Sequence, residues 1–348
     1  MGIFVSKPLR FIDLFCGIGG FHIATNQACA IQNRESACVF ASDIDIDAQH
    51  TYLNNFGIQP LGDITQIEAD DIPDHELLLA GFPCQPFSIC GDGKGFDDIR
   101  GTLFFDIARI LAAKQPKAFV LENVKQLRGH DGGNTLRQIL KTLHNLGYST
   151  DYKILNALDF GLPQKRERIF IVGFKGKVES FSWPQGRHIM TPLDDILEKD
   201  VPSFYYTSDK IRQNRLDKRQ GKPSLNQTTI WHENKGGNIS ALPYSCALRA
   251  GASYNYLLVN GERRLTEREM LRLQGFPESY KIVGSYQATR KQTGNSVAIP
   301  CVTAVINAVL ESIATISVAP QVNSFAQYSL VFETSANYTD NHANFIRS

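Results

Sequence analysis

The sequence lacks several features that would define its class. It has seven cysteines in 348 residues, at positions 16, 29, 38, 84, 90, 246 and 301. The count is odd, no two form a Cys-x-x-Cys pair, and no histidines cluster near them. That argues against a disulfide framework and against a zinc site, and no metal is expected. Free thiols suit a reducing compartment, so the cytoplasm is the expected location. Net charge is only +1, so the chain as a whole is no polycation. Any nucleic-acid binding would need a local basic surface. No apolar run approaches the roughly 20 residues of a membrane helix. Lys7 and Arg10 interrupt the N-terminal apolar stretch before a signal cleavage site can form. Residues 1–6 fit the loose myristoylation pattern, read here as chance because a strand is expected to begin soon after.

What is present is an ordinary globular composition, 43% hydrophobic and 20% charged, long enough for one or two domains. The first half alternates strand and helix. Strands are expected at 10–15, 37–41, 77–80, 118–121 and 169–172, with helices at 20–30, 48–55 and 102–113. Leu136, Ile139, Leu140 and Leu143 carry a helical spacing that stops at Gly147. Such alternation predicts an α/β fold, a mainly parallel, doubly wound, Rossmann-like sheet covered by helices. After about residue 175 the chain turns loop-rich, with scattered aromatics, Asn, Gln and Gly, and is expected to form a second, smaller domain. Within it, 209–222 holds six basic residues and two acidic ones. Thr266 and Glu269 form a capping box, with Leu265 and Met270 placed to staple it and Gly275 to end the helix. A last apolar helix is expected at 297–316, followed by a polar tail.

Three groups of residues carry chemistry. Phe11-Ile12-Asp13-Leu14-Phe15-Cys16-Gly17-Ile18-Gly19-Gly20 reads as a strand running into a glycine turn that lets backbone approach a cofactor. His22 takes the third position of the dinucleotide fingerprint, and a plain tight turn is the ordinary alternative. Asp43 follows the second strand, where a carboxylate usually meets ribose hydroxyls. Asp63 is placed at the end of a further strand, although either aspartate alone reads as a helix cap. The segment Gly81-Phe82-Pro83-Cys84-Gln85-Pro86 sets a thiol between two prolines after a strand, ahead of a glycine-rich loop. A buried thiol is the usual fate of cysteine; prolines that aim it and glycines that let the loop move point instead to a nucleophile. Glu122 and Asn123 end another strand of the same sheet. Arg166 and Arg168 alternate along the next, so both point to one side.

Phe-Ile-Asp-Leu-Phe at 11–15, Gly-Phe-Pro-Cys-Gln at 81–85, Glu-Asn-Val at 122–124, Gln-Lys-Arg-Glu-Arg at 164–168 and Gly-Asn-Ser-Val at 294–297 follow one another as in the DNA cytosine-5 methyltransferases. The chain resembles that family, and within it the restriction–modification enzymes. The likeness runs from Arg10 to about Ile171 and again from Arg264 to about Leu310; the middle does not align.

The resemblance implies S-adenosylmethionine as methyl donor, S-adenosylhomocysteine as product, and double-stranded DNA as substrate. It implies a catalytic domain over 1–175 and 285–320, a target-recognition domain over 176–284, and a tail over 321–348. The donor pocket would take Phe15, Cys16, Gly17, Ile18, Gly19, Asp43, Ile44, Asp63, Ile64, Phe82, Leu103, Asn295, Ser296 and Val297. Asp43 would hold the ribose and Asp63 the adenine amino group. Ile44 stands where a restriction–modification relative carries a tryptophan, so ring stacking is not expected there. Cys84, held by Pro83, would attack cytosine carbon 6. Glu122 would bond ring N3, with Asn123 holding that edge. Arg166 would bond the cytosine O2, and Arg168 would orient Glu122. DNA contacts would come from Ser88, Cys90, Lys94 and Arg100 in the loop, and from Lys210, Arg212, Arg215, Arg249 and Tyr254. The chain is expected to act as a monomer, and a restriction endonuclease of the same site is the partner that the resemblance suggests. An RNA methyltransferase on the same scaffold is weighed against by the lack of a Cys-Phe-Thr element. A catalytically dead relative would lose the Pro-Cys or Glu-Asn-Val segment, and a nicotinamide-dependent dehydrogenase would keep the third glycine.

Overall fold

The computed structural model describes residues 7–83, 103–176, 178, 181–186, 188–219 and 226–314. In chain order, β1 (Leu9–Leu14) leads to α1 (Gly20–Ile31), β2 (Ser36–Ser42), α2 (Ile46–Phe56), β3 (Leu77–Gly81), α3 (Leu103–Lys114), β4 (Ala118–Val124), α4 (Asn134–Asn145) and β5 (Tyr148–Asn156). Then come β6 (Gln164–Lys165), β7 (Glu167–Lys175), α5 (Leu193–Ile196), α6 (Asp209–Asp217), β8 (Ile230–Glu233), β9 (Ile239–Leu242), β10 (Ser245–Cys246) and β11 (Leu257–Val259). Helices α7 (Glu267–Gln274), α8 (Tyr286–Asn295) and α9 (Ile299–Ala314) close the described chain.

Six strands form one sheet in the order β2-β1-β3-β4-β7-β5. Neighbours from β2 to β4 run parallel, while β7 is antiparallel to both β4 and β5. Leu9, Phe11, Ile12 and Leu14 of β1 are fully buried, as a central strand covered on both faces requires. The sheet is therefore the mainly parallel α/β arrangement expected, with two corrections. β5 was not anticipated: its outward residues are polar, because it lies at the sheet edge. Asp63 does not end a strand; it caps a short 3₁₀ turn, accepting the Thr65 N–H at 3.0 Å.

Local signals explain the helix ends. Asp45 caps α2 by accepting the N–H groups of Asp47 and Ala48, and Gly57 ends it in the left-handed region. Thr266 and Glu269 make the expected capping box on α7, which Gly275 closes. Gly19, at φ 79°, starts α1, and a Cβ there would lie 2.2 Å from the Phe56 ring. His22 explains the missing third glycine: its ring stacks on Phe56 at 4.1 Å and its Nδ1 meets the Tyr52 hydroxyl at 2.7 Å. Burial pulls His22 down to about 4, so it sits in the core as a neutral ring.

The stretch Tyr286–Ala314 is long and apolar enough, by composition, to cross a membrane, which corrects the expectation that no run approaches that length. Here α9 packs against α1, with Ile299, Val302, Val305, Ile306 and Val309 fully buried. Each such aliphatic side chain contributes about 1.5–3 kcal/mol. Hydrogen bonds join Gln32 to Asn307 and Gln27 to Thr303 across the same contact. A separate antiparallel sheet, β11-β8-β9, lies in the loop-rich region. Ile230, Leu248, Tyr256 and Leu257 share an apolar cluster there with Leu265, Met270 and Leu273 around α7.

Candidate active site

The carboxyl ends of β1, β3 and β4 and the start of β7 open onto one cavity of about 610 Å³, within the size range of small-ligand sites. Its first part is the glycine turn. Phe15 is held at φ 54°, an unusual conformation for a bulky residue, and lines the wall beside Gly17. The Asp43 carboxylate accepts the Gly17 N–H at 2.7 Å and the Asp45 N–H at 2.8 Å. Burial pushes Asp43 above the usual carboxylate range, opposed by those N–H groups and by Lys291. Ile44, Asp63, Ile64, Phe82 and Leu103 complete this part. Among the described residues nothing lies within 4 Å of where a Gly17 Cβ would stand, so its backbone is open to an approaching group.

The second part holds Pro83, Glu122, Asn123, Arg166 and Arg168. Register places Glu122 beside Gly81 of β3, and Val124 beside Arg168 of β7. Asn123 donates to the Phe82 carbonyl at 2.9 Å and so fixes the segment that leads into Pro83. Arg168 Nε lies 3.0 Å from Glu122 Oε1, a buried ion pair at the end of the cavity. Burial pushes the Glu122 carboxyl above its usual range, against the pull of Arg168 and Arg166.

Arg166 is almost wholly buried and donates to the carbonyls of Leu248, Gly294 and Ser296. Burial and Arg168 pull it down to about 9, opposed by Glu122. Its Nε has no partner among the described residues.

The other expected residues fall in several places. Cys84, Ser88, Cys90, Lys94 and Arg100 lie outside the described residues. Cys16, Ile18 and Val297 bury their side chains in the core rather than line the cavity. Gly19 packs against Phe56, and Ser296 serves through its carbonyl. Asn295 lines the wall as expected. Asp45 and Gln292 also line it, and no sequence motif marks Gln292.

Among the expected DNA contacts, Arg215 needs correction. It is 3% exposed, paired with Glu233 at 2.9 Å, and donates to the Asn255 carbonyl. It holds the smaller region together and has no free face for a phosphate. Arg212 pairs with Glu262 on the surface, and Lys210 is exposed. Arg249 is exposed with its guanidinium over the Tyr256 ring; Tyr254, 42% exposed, lies beneath Arg290.

A parallel-to-mixed sheet with a glycine turn, a carboxylate after its second strand, and a carboxyl–guanidinium pair at the far end of one cavity defines a methyltransferase of the Rossmann-like class. Residues 9–311 match the C-5 cytosine-specific DNA methylase family, and the chain belongs to it. It is 55% identical over 297 residues to the Type II methyltransferase M.NgoBI of Neisseria gonorrhoeae, covering 85% of this chain and 91% of that protein. Against M.HaeII of Haemophilus aegyptius it is 52% identical over 309 residues, covering 88% and 94%. Against M.HhaI of Haemophilus parahaemolyticus it is 42% identical over 308 residues, covering 84% and 91%. The fold also resembles that of the S. pombe Dnmt2 methyltransferase, with TM-score 0.64 at 23% identity, covering 88% of this chain and 99% of that one. The chain is thus a DNA cytosine-5 methyltransferase.

Proposed function

We propose that the chain methylates carbon 5 of a flipped-out cytosine within a specific DNA site, using S-adenosylmethionine and a transient bond from Cys84, as the modification half of a restriction–modification system. The observation that carries this reading is the single cavity in which Asp43 and the open Gly17 backbone share walls with Pro83, Glu122, Arg166 and Arg168. The restriction–modification assignment rests on the Type II relatives.

The residues at the first end fit the donor: a carboxylate for ribose hydroxyls, an open glycine backbone, and apolar Ile44, Ile64 and Phe82 for a flat base. When bound, S-adenosylmethionine supplies an electrophilic methyl group. The Cys84 thiolate forms a bond to cytosine carbon 6, and the carbon 5–carbon 6 double-bond electrons shift into the ring. Neutral Glu122 donates its proton to N3 and stabilises that electron-rich ring; its burial favours the protonated form. Carbon 5 takes the methyl group with S-adenosylhomocysteine as the leaving group, a base removes the carbon 5 proton, the Cys84 sulfur leaves carbon 6 as the double bond returns, and N3 gives its proton back to Glu122. Arg166 offers its free Nε toward the cytosine O2 and favours the thiolate by its charge, while Arg168 holds Glu122. The cytosine reaches these groups only outside the stack, which costs about a few kcal/mol.

The test uses Cys84→Ser. It is expected to lose methyl transfer and the covalent complex with duplex DNA containing 5-fluorocytosine, while bisulfite sequencing of DNA from cells expressing the parent protein locates the modified site. A covalent complex that survives the substitution overturns the role of Cys84.

A further inference from the structure

The peptide of Leu248 is held on both sides from the catalytic strand region. Its N–H donates to Gln164 Oε1 at 2.9 Å, and its carbonyl accepts from Arg166 Nη1 at 3.1 Å. Gln164 is fully buried. Its amide nitrogen donates to the Leu273 carbonyl at 2.7 Å, at the end of α7. One side chain therefore joins three segments: the start of the catalytic arginine pair, the loop from Leu248 to Tyr256, and α7.

The rest of that loop is also tied down. Arg290 donates to the Ala252 carbonyl, and the Tyr256 hydroxyl accepts the Arg249 N–H at 2.9 Å. Three of its side chains, Arg249, Ser253 and Tyr254, are left exposed. A loop tied at Leu248, Arg249 and Ala252, with exposed side chains beside those ties, is preorganised to meet a rigid surface.

We propose that Gln164 is a positioning residue that locks the loop Leu248–Tyr256 to Arg166, so that contact of the loop with the correct DNA site is transmitted to the catalytic end. The inference rests on the DNA-methyltransferase reading above and adds to it a residue and a route. The route is short: Leu248 is the only residue between the two bonds, so a displacement of the loop at Leu248 loads one of the three carbonyl contacts that hold the Arg166 guanidinium. Base edges specify while phosphates position, and a loop coupled to the reacting centre converts a mismatched edge into a slower chemical step rather than only weaker binding.

Gln164→Met keeps the volume and removes all three side-chain hydrogen bonds, to Leu248, Leu273 and Gln274. The measurements are kcat and KM for methyl transfer to a duplex carrying the mapped site and to duplexes with single flanking base pairs changed. Binding of S-adenosylhomocysteine serves as the check on the donor pocket. On the mapped site kcat is expected to fall about tenfold, as loss of buried hydrogen bonds and misplacement imply. KM and donor affinity are expected to stay within about twofold, and the preference for the mapped site over altered ones to shrink about as much as kcat. An unchanged preference overturns the proposal whatever happens to kcat. If the variant does not fold, amide exchange in the parent protein decides: slow exchange at Leu248 supports the lock, and exchange as fast as at Tyr254 overturns it. Failure of the parent protein to methylate any duplex would instead refute the function on which the inference rests.

Discussion

Gly294 sits near the end of α8 with the loop backbone pressed against it. A Cβ added there would lie 2.3 Å from the Ala250 nitrogen, 2.7 Å from the Arg249 carbonyl carbon and 2.8 Å from the Ala250 Cα. Ordinary contact begins at 3.4 Å, so in Gly294→Ala the loop must retreat by about 1 Å. Arg166 reaches across this junction, to Leu248 at 3.1 Å and to Gly294 at 3.3 Å. A retreat of that size breaks at least one of the two bonds. Two effects on stability oppose each other: alanine favours the helix by about 1 kcal/mol, whereas overpacking costs about 1–3 kcal/mol. The net loss is therefore small, about 0–2 kcal/mol. Activity is the sensitive quantity, because a displacement near 1 Å at a reacting centre costs about 100-fold. Gly251→Ala is the control, since it lies in the same loop with nothing among the described residues within 4 Å of its Cβ position. Transfer of labelled methyl groups to duplex DNA should show the first variant about 100-fold slower and the second unchanged. Equal rates in the two variants would refute the steric reasoning, and a shared large loss would show that the loop responds to any added methyl group.

Other expectations follow from the same geometry. Asp13 is fully buried with neither oxygen hydrogen-bonded among the described residues, and burial together with Asp43 raises its carboxyl well above the usual range. A carboxyl whose folded pKa is raised weakens the fold as pH climbs above its unfolded value of about 3.9, up to the folded one. The Tm difference between Asp13→Asn and the parent should thus move in the variant's favour between pH 4 and pH 8, in a series of calorimetric scans; a pH-independent difference would count against a raised Asp13. Glu122→Gln should slow single-turnover methylation about 100-fold or more. In the parent the rate should fall as pH rises through the raised Glu122 value, and a flat alkaline limb with the glutamine variant equally active would exclude proton donation. Arg215→Ala should cost about 1–3 kcal/mol by denaturant titration, because Glu233 loses one of two partners. It should leave the salt dependence of DNA binding unchanged, whereas a lost phosphate contact would lower that slope by about 1.

Much of the site was legible because its chemistry sits at strand ends, where period-two patterning and turn residues mark boundaries. Phe82-Pro83, Glu122-Asn123 and Arg166 to Arg168 were placed on one edge from spacing alone, and the cavity gathers all of them. The capping box at Thr266 and Glu269 was equally readable, being a contact within one turn. What escaped was non-local or weakly patterned. The Arg166 carbonyl partners lie 82, 128 and 130 residues away in sequence. Helix α8 carries two Gln, two Thr, one Arg and one Lys in ten residues, so no apolar stripe announced it. The burial of Arg215 depends on Glu233, which lies 18 residues away on a strand whose partners were not foreseen. Charge in a loop-rich stretch looks the same whether it faces a phosphate or a carboxylate.

The return of α9 to α1 also sets the order in which the protein can be completed. Tyr280 donates to the Ile18 carbonyl across 262 residues, and Thr303 reaches Gln27 across 276. At about 5–20 residues per second, roughly 15–50 s pass between synthesis of the glycine turn and synthesis of the residues that buttress it. During that interval the apolar face of α1 has no α9 to cover it. The cavity wall formed by the glycine turn therefore gains this support only once residues 262 to 276 positions further along the chain have been made.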